Sequence, residues 1–448
     1  MRSRTSVPDP TQSWDLEQRT LPWPPSRLHD EQRLAKQQHE LHCLQEMERS
    51  EAYMYTTEAW VLHRGSNDVS DGEPGALCLE EYSFPEITAH EVLAEPLYGC
   101  WEGNMTHAVR RTPVDVCRQR GEDRIVVGNA GVVRILQIGD AVHSVRPGDV
   151  CMLYGAGETD AFGYMTKALA FDAPNTMGVL AKRCKLHEHN VLPIPPTTRY
   201  SLRQWAAFAV RYVTAWANWR VAYGCWNVQM SDEAMPAPFV WAWGGGTAFA
   251  EADLARRHGC RAAMISSHPE RLALIARAGI EPIDRREFPG LAFDDKKYAA
   301  DPKFRKAYQA AEATFLRKVK EVTGGHGVSI FVDYIGTPVT RATLRALARQ
   351  GVITTAGWKH GMATTSMRAI ECIERHLHVH THYARRSEAR AAMLAAESMG
   401  WMPPIGETEA VVEWNDIPKL AEAHAADRAE SYFPVFRVNP ITPTASEG

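Results

Sequence analysis

The sequence predicts an α/β protein in which a doubly wound parallel sheet is inserted in a β-rich domain. Three observations carry this: short β-type runs broken by Gly and Pro between Ala59 and Val150, an alternation of strand and helix patterns from about 206 to 395, and a return to one strand and one helix after it. At 448 residues the chain is long enough for two domains, each with its own core. The expected division is an N-terminal extension at 1–50, the first part of the β-rich domain at 51–205, the parallel-sheet domain at 206–395, and the rest of the β-rich domain at 396–448.

The extension contains Pro22, Pro24 and Pro25 and then HDEQRLAKQQHELHCLQEMERS, a polar run of helix formers that reads as a solvated helix. Its Leu34, Leu41 and Leu44 are an alternative packing stripe for a partner subunit. Next come AWVLHRG, CLEEYSFPEI, HEVLAEPLYG and RIVVGNAGVVRILQIG, and a V-x-P-G-D-V turn at Val145 to Val150. Beyond Thr198 a helical stretch, SLRQWAAFAVRYVTAWANWRVAYG, leads into strand PFVWAW, helix AFAEADLARRHG and strand RAAMISS, a βαβ unit. The alternation continues through helix PERLALIARAG, strand EPID, helix FLRKVKEVTGG, strand VSIFVDYIG, helix TRATLRALARQG and strand VITTAGW; EAVVEW and DIPKLAEAHAADR close the chain.

Composition narrows the function. Apolar residues make up 45% and charged residues 23%, ordinary for a globular protein, and a net charge of -4 offers no basic surplus for nucleic acid. Nine scattered cysteines without a C-x-x-C pair suggest neither a disulfide framework nor a zinc lobe and fit a reducing cytoplasm. No apolar run has the length of a signal peptide or membrane span, so a cytoplasmic protein with no membrane partner is expected.

The chemistry begins at the glycine turn. Gly244, Gly245, Gly246, Thr247 and Ala248 follow strand Val240 to Trp243, and a helix starts at once. Small residues here let backbone N–H groups reach a pyrophosphate at the positive end of a helix. Gly244 and Gly246 take the first two places of G-x-G-x-x-G, and the third falls at Phe249 or, with a one-residue shift, Ala248; a plain structural turn is the alternative. The next strand ends in Ser266 and Ser267, with Arg271 beyond, where an NAD enzyme would carry an acid for the ribose. Hydroxyls and an arginine suit a 2′-phosphate, so NADPH is the expected cofactor. The alternative is that Ser266 caps the next helix and Arg271 is solvated. His376, His378, His380 and His382 alternate along one strand face; side chains in such a row stand nearly parallel and converge poorly on one ion, so a polar face is expected and no metal.

These segments, with W-A-W-G-G-G-T-A at 241 to 248, I-D-R at Ile283 to Arg285, the insertion DPKFRKAYQAAEATFLRKVKEVTGG, V-D-Y-I-G at Val332 to Gly336, T-H-Y-A at Thr381 to Ala384, A-W-V-x-H-R at Ala59 to Arg64, V-R-P-G-D at Val145 to Asp149 and F-G-Y at Phe162 to Tyr164, resemble the crotonyl-CoA carboxylase/reductases. That is a zinc-free branch of the medium-chain dehydrogenase/reductases. The resemblance runs from about residue 52 onward. It implies a Rossmann domain inserted in a GroES-like catalytic domain, a homodimer or homotetramer, and hydride transfer from NADPH to the β-carbon of an α,β-unsaturated acyl thioester on CoA or acyl carrier protein, as in secondary metabolism.

Three departures stand against carboxylation. The family's N-Y-N loop corresponds to Cys100-Trp101-Glu102-Gly103, which puts Glu102 in place of the Asn that holds carbon dioxide. F-G-[FY]-E becomes Phe162-Gly163-Tyr164-Met165, and E-H-P-G becomes Asp333-Tyr334-Ile335-Gly336. Related alcohol dehydrogenases place a zinc-binding Cys at Cys100, but their His-Glu pair is replaced at Gly128-Asn129-Ala130. The candidate catalytic residues are Glu102 as proton donor, Tyr164 and Tyr334 as hydrogen-bond or proton donors, and His382, the one histidine of the row that matches a family position. Each has a plainer alternative: a solvated carboxylate for Glu102, aromatic core for the tyrosines, and a polar strand face for His382. The readings that remain are a non-carboxylating enoyl-thioester reductase, a reductive cyclase, and a catalytically retired homologue that binds a ligand or partner.

Overall fold

A computed structural model describes residues 54–66, 74–230, 237–357, 359–360, 375, 377–381, 383–406, 409–426, 428 and 431–441. The chain divides into two units, Met1–Met54 and Tyr55–Gly448, and the architecture below is that of the second. The expected N-terminal extension, His376 and His382 lie outside the described residues.

The β-rich part comprises β1 (Met54–His63), β2 (Leu77–Pro85), β3 (Glu91–Cys100), α1 (Gly103–Arg110), α2 (Val116–Arg120), β4 (Arg124–Ile125), β5 (Gly131–Ile138), β6 (Val150–Leu153), β7 (Ala156–Thr159), β8 (Met165–Ala168), β9 (Cys184–His187) and β10 (Val191–Pro193). Its centre is a curled antiparallel sheet built on β3. One edge of β3 pairs with β5; the other takes β9 along Glu91–Ala94 and the chain's last strand, Val435–Arg437, along Tyr98–Cys100. Gly99 makes that last pairing possible, since a Cβ there would lie 2.2 Å from Cζ of Phe436.

The helical stretch after Thr198 is two helices, α3 (Leu202–Phe208) and α4 (Arg211–Met230). Ser201 and Gln204 form a capping box on α3, and the break at Ala209–Val210 makes Arg211 the first residue of α4. Then follow β11 (Phe239–Trp243), α5 (Gly246–Arg257), β12 (Arg261–Ser266), α6 (Pro269–Arg277), β13 (Glu281–Asp284), α7 (Asp295–Ala300), α8 (Pro302–Val322), β14 (Val328–Asp333), α9 (Thr337–Ala346), β15 (Leu347–Thr355), β16 (His378–Thr381), α10 (Arg386–Met399), α11 (Ile417–Ala425) and β17 (Val435–Arg437). The sheet order is β13-β12-β11-β14-β15-β16, every pair parallel. Counted from β11 this is 3-2-1-4-5-6, the Rossmann order. Both β11 and β14 are buried along their whole length, as helices on the two faces of a parallel sheet require.

Two elements differ from the sequence expectation. TRATLRALARQG reads as helix to its glycine, yet α9 stops at Ala346 and β15 begins at Leu347, which pairs with Val328. Strand pairing claims the apolar Leu347 and Ala348 over their helix propensity. EAVVEW contributes one bridge, Val412 to Phe436, before a single turn at Trp414–Asp416. No described helix is long and apolar enough to cross a membrane.

Candidate active site

The loop leaving β3 turns inward. Glu102 occupies the N-cap of α1 with extended backbone, but its side chain makes no cap bond. It reaches Arg211 instead: Nη1 of Arg211 donates to Oε1 of Glu102 and, at 2.8 Å, to the Cys100 sulfur, while Nη2 donates to the Trp101 carbonyl at 2.6 Å. Cys100 is fully buried and Glu102 and Arg211 nearly so. Burial pushes the Cys100 thiol up to about 12, so it stays protonated, and pushes Glu102 up to about 7 against the lowering pull of Arg211. Zinc does not fit here. A guanidinium lies on the sulfur, and among the described residues no group of three His, Cys, Asp or Glu side chains is placed to hold a metal.

The glycine turn stands beside this cluster. Gly244 has φ +148°, and a Cβ on it would meet the Cβ atoms of Ala248 and Tyr334 at 3.0 Å. Gly245 is exposed with nothing within 4 Å of its Cβ position, and it caps α5 without a side chain. The first N–H groups of α5 carry no side-chain cap at the positive end of the helix dipole. Gly246 is closed: its Cβ would lie 2.7 Å from both Cδ of Arg211 and the Tyr432 carbonyl. Thr247 is half-buried and Ala248 buried. Arg211 thus touches the catalytic-loop candidate on one side and the glycine turn on the other.

At the end of β12, Ser266 is nearly buried and accepts from the His268 N–H at 3.4 Å; His268, not Ser266, holds the N-cap position of α6. Ser267 is half-buried, and the Arg271 guanidinium lies 4.7 Å from the centroid of the Tyr432 ring.

The two tyrosines are placed differently from one another. Tyr334 leaves β14 beside Gly244 and runs inward, its hydroxyl accepting from Asn218 Nδ2 at 2.7 Å and donating to Glu251 Oε2 at 3.1 Å. Asn218 on α4 and Glu251 on α5 are fully buried, and burial drives the Glu251 carboxyl well above its ordinary value. The hydroxyl is engaged between two helices rather than offered to a cleft. Neighbouring Asp333, raised by burial to about 6, accepts from the N–H groups of Ile335 and Gly336 and fixes the turn. Tyr164 lies in a tight turn whose Asp160 accepts from the N–H groups of Phe162 and Tyr164, with the Arg385 guanidinium 5.0 Å over its ring.

Sequence reasoning missed Arg211, Asn218 and Glu251. Each is a polar residue within a largely apolar helical run, and that placement is the one signal available, because such residues are rarely buried unpaired.

No family model matches the sequence, and no curated protein matches it. Solved structures do. The chain is similar to the crotonyl-CoA carboxylase/reductase AntE in complex with NADP, with TM-score 0.69 and 20% identity over 85% of this chain and 94% of that one. It is similar to the 2-octenoyl-CoA carboxylase reductase CinF in complex with NADP and 2-octenoyl-CoA, with TM-score 0.69 and 18% identity over 85% and 87%. A thermostable alcohol dehydrogenase from Pyrobaculum aerophilum gives TM-score 0.61 and 15% identity over 86% and 100%. The chain therefore shares the fold of these structures, a Rossmann sheet with a β-rich partner.

Proposed function

We propose that the chain is an NADPH-dependent reductase of an α,β-unsaturated acyl thioester, on CoA or acyl carrier protein, or of a similarly activated alkene, and that it does not carboxylate its product. The observation that carries this reading is the uncapped start of α5, open at Gly245, with the Cys100–Glu102–Arg211 cluster packed against the very next residue. On this reading residues 206–395 hold the dinucleotide and 51–205 with 396–448 form the substrate side. The complexes of AntE and CinF with NADP support the cofactor.

The residues present fit NADPH. The open Gly245 and the free end of α5 suit the pyrophosphate, and Ser266, Ser267 and Arg271 suit a 2′-phosphate without placing a carboxylate against it. Bound there, NADPH supplies the hydride. Reduction at the β-carbon leaves negative charge on the thioester oxygen, and Arg211, whose charge is fixed at any physiological pH, supplies a positive field toward it while its N–H groups stay on Glu102, Cys100 and the Trp101 carbonyl. Glu102, titrating near 7, holds the proton that the α-carbon needs.

A second reading, a catalytically retired homologue, is favoured by the inward Tyr334 and by the engagement of Glu102 with Arg211. Fluorescence of NADPH added to the pure protein, followed by a mass-spectrometric screen of enoyl thioesters, separates the two. Binding with turnover supports the reductase, binding without turnover supports retirement, and absence of binding removes the cofactor assignment.

A further inference from the structure

Because every pair in the main sheet is parallel, the carboxyl ends of β11 and β16 open on one edge: Trp243 is level with Asp333, Val332 with Thr354, and Thr355 with Thr381. Three strand spacings, about 14 Å, separate the glycine turn from the chain leaving β16. Beside that chain, where it enters α10, lies a cleft of 320 Å³ whose lining includes Tyr154, Thr159, Phe162, Arg385, Arg386 and Ser387. Its far wall is tied in place by the Tyr154 hydroxyl, which donates to the Ala384 carbonyl at 2.9 Å.

The charge balance of the cleft is uneven. Glu388 answers Arg385, accepting from its backbone N–H at 2.9 Å and from Nε at 3.3 Å. Arg386 is half-buried and gives Nε to the His189 carbonyl at 2.8 Å and Nη2 to the Val191 carbonyl at 3.1 Å. Those carbonyls fix the guanidinium without neutralising it, and among the described residues Arg386 forms no ion pair. Arg390 and the amino end of the 14-residue α10 add positive potential, against which Glu188 near Arg386 and Glu388 in the first turn of α10 set negative charge. At the mouth, the Phe162 ring is 77% exposed.

We propose that this cleft binds an oxoanion, carboxylate or phosphate, borne by a small molecule with an apolar or aromatic body. Arg386 and the N–H groups at the start of α10 take the anion, while Tyr154 and Phe162 flank the body. The volume is at the lower end for small-molecule sites, which limits the bound portion to a fragment. The site goes beyond the reductase reading, since binding here requires neither cofactor nor turnover.

The test titrates inorganic phosphate, phenyl phosphate and benzoate into the full chain by calorimetry and by protection against thermal unfolding. Saturable binding is expected, with one of the aromatic probes tightest; which one identifies the oxoanion. Arg386→Gln weakens every probe about tenfold or more, and Arg386→Lys restores part of the loss. Should loss of the two carbonyl contacts unfold Arg386→Gln, Phe162→Ala carries the test from the surface: it weakens both aromatic probes and leaves inorganic phosphate unchanged. Arg271→Ala weakens NADPH and not benzoate, which keeps this site separate from the cofactor reading. The proposal is overturned if no probe saturates, if a folded Arg386→Gln binds as wild type, or if Arg271→Ala weakens all three probes as much as Arg386→Gln does.

Discussion

Arg211 and Glu102 form an ion pair sealed from solvent, each side chain 8% exposed, at the point where the loop after β3 meets the glycine turn. Breaking such a pair from one side strands a charge in the interior. Arg211→Gln is expected to lower the unfolding free energy by about 3 kcal/mol at pH 8 and by less at pH 5, where Glu102 escapes by taking a proton. Urea denaturation at the two pH values measures this, and the double variant Arg211→Gln with Glu102→Gln should recover part of the loss.

The wild-type pair has its own pH signature. Burial places Glu102 at about 7 in the folded chain against an ordinary 4.5, so the folded state binds this proton more tightly than the unfolded one. The stability from this group is present in full below about 4.5 and is lost as pH rises through about 7. Glu102→Gln should flatten that part of the stability curve. If Glu102 is also the proton donor, kcat/KM of the wild type falls above about pH 7.

Cofactor choice tests the residues at and beyond the end of β12. NADPH is expected to bind at least about tenfold tighter than NADH, because Ser266, Ser267 and Arg271 stand where an acid would otherwise read the ribose. Arg271→Ala should cost NADPH about 1.5 to 3 kcal/mol and leave NADH nearly unchanged. Equal losses for both cofactors would move Arg271 out of the 2′-phosphate site.

Tyr334→Phe separates structure from chemistry. The hydroxyl bridges Asn218 and Glu251 in the interior, and its removal leaves buried polar groups short of a partner, a loss of about 1 to 3 kcal/mol in stability. A variant that melts earlier but turns over at the wild-type rate would mark Tyr334 as a structural residue. A fall in kcat with stability intact would return it to the list of donors.

The Rossmann order and the glycine turn were legible because they are local: strand, small residues and helix follow one another within about a dozen positions, and the periodicity is that of each element. The point where α9 gives way to β15 was not, since Leu347 is claimed by Val328, a partner on the preceding strand across the whole of α9. The same physics hid most of the candidate site. Glu102 was visible as a departure from a family motif, but its partner Arg211 lies more than a hundred residues on, inside a run of Ala, Val and aromatic residues that advertises only a buried helix. Glu251 and Asn218 were hidden likewise, each meaningful only once α4 and α5 lie side by side.

The fate of the reduced substrate is the last expectation: turnover of an enoyl thioester should deliver a solvent proton to the α-carbon and no carbon dioxide, even in saturating bicarbonate. Carbon dioxide has no net charge, but its oxygens are partly negative and need neutral or positive donors beside the enolate. The strongest donor near the loop, Arg211, already has Glu102, Cys100 and Trp101 as acceptors. An ionised Glu102 repels both those oxygens and the enolate, while a protonated Glu102 is itself the nearest proton source. Met165, half-buried at the start of β8, offers no strong hydrogen bond, and the Tyr334 hydroxyl is committed elsewhere. Solvent deuterium at the α-carbon is the expected label. Carbon from labelled bicarbonate entering the product at a rate comparable to NADPH oxidation would refute the expectation. Glu102→Asn alone should not introduce carboxylation, because it removes the anion without supplying the contacts absent at Met165 and Tyr334, and it leaves Arg211 buried without its counter-charge.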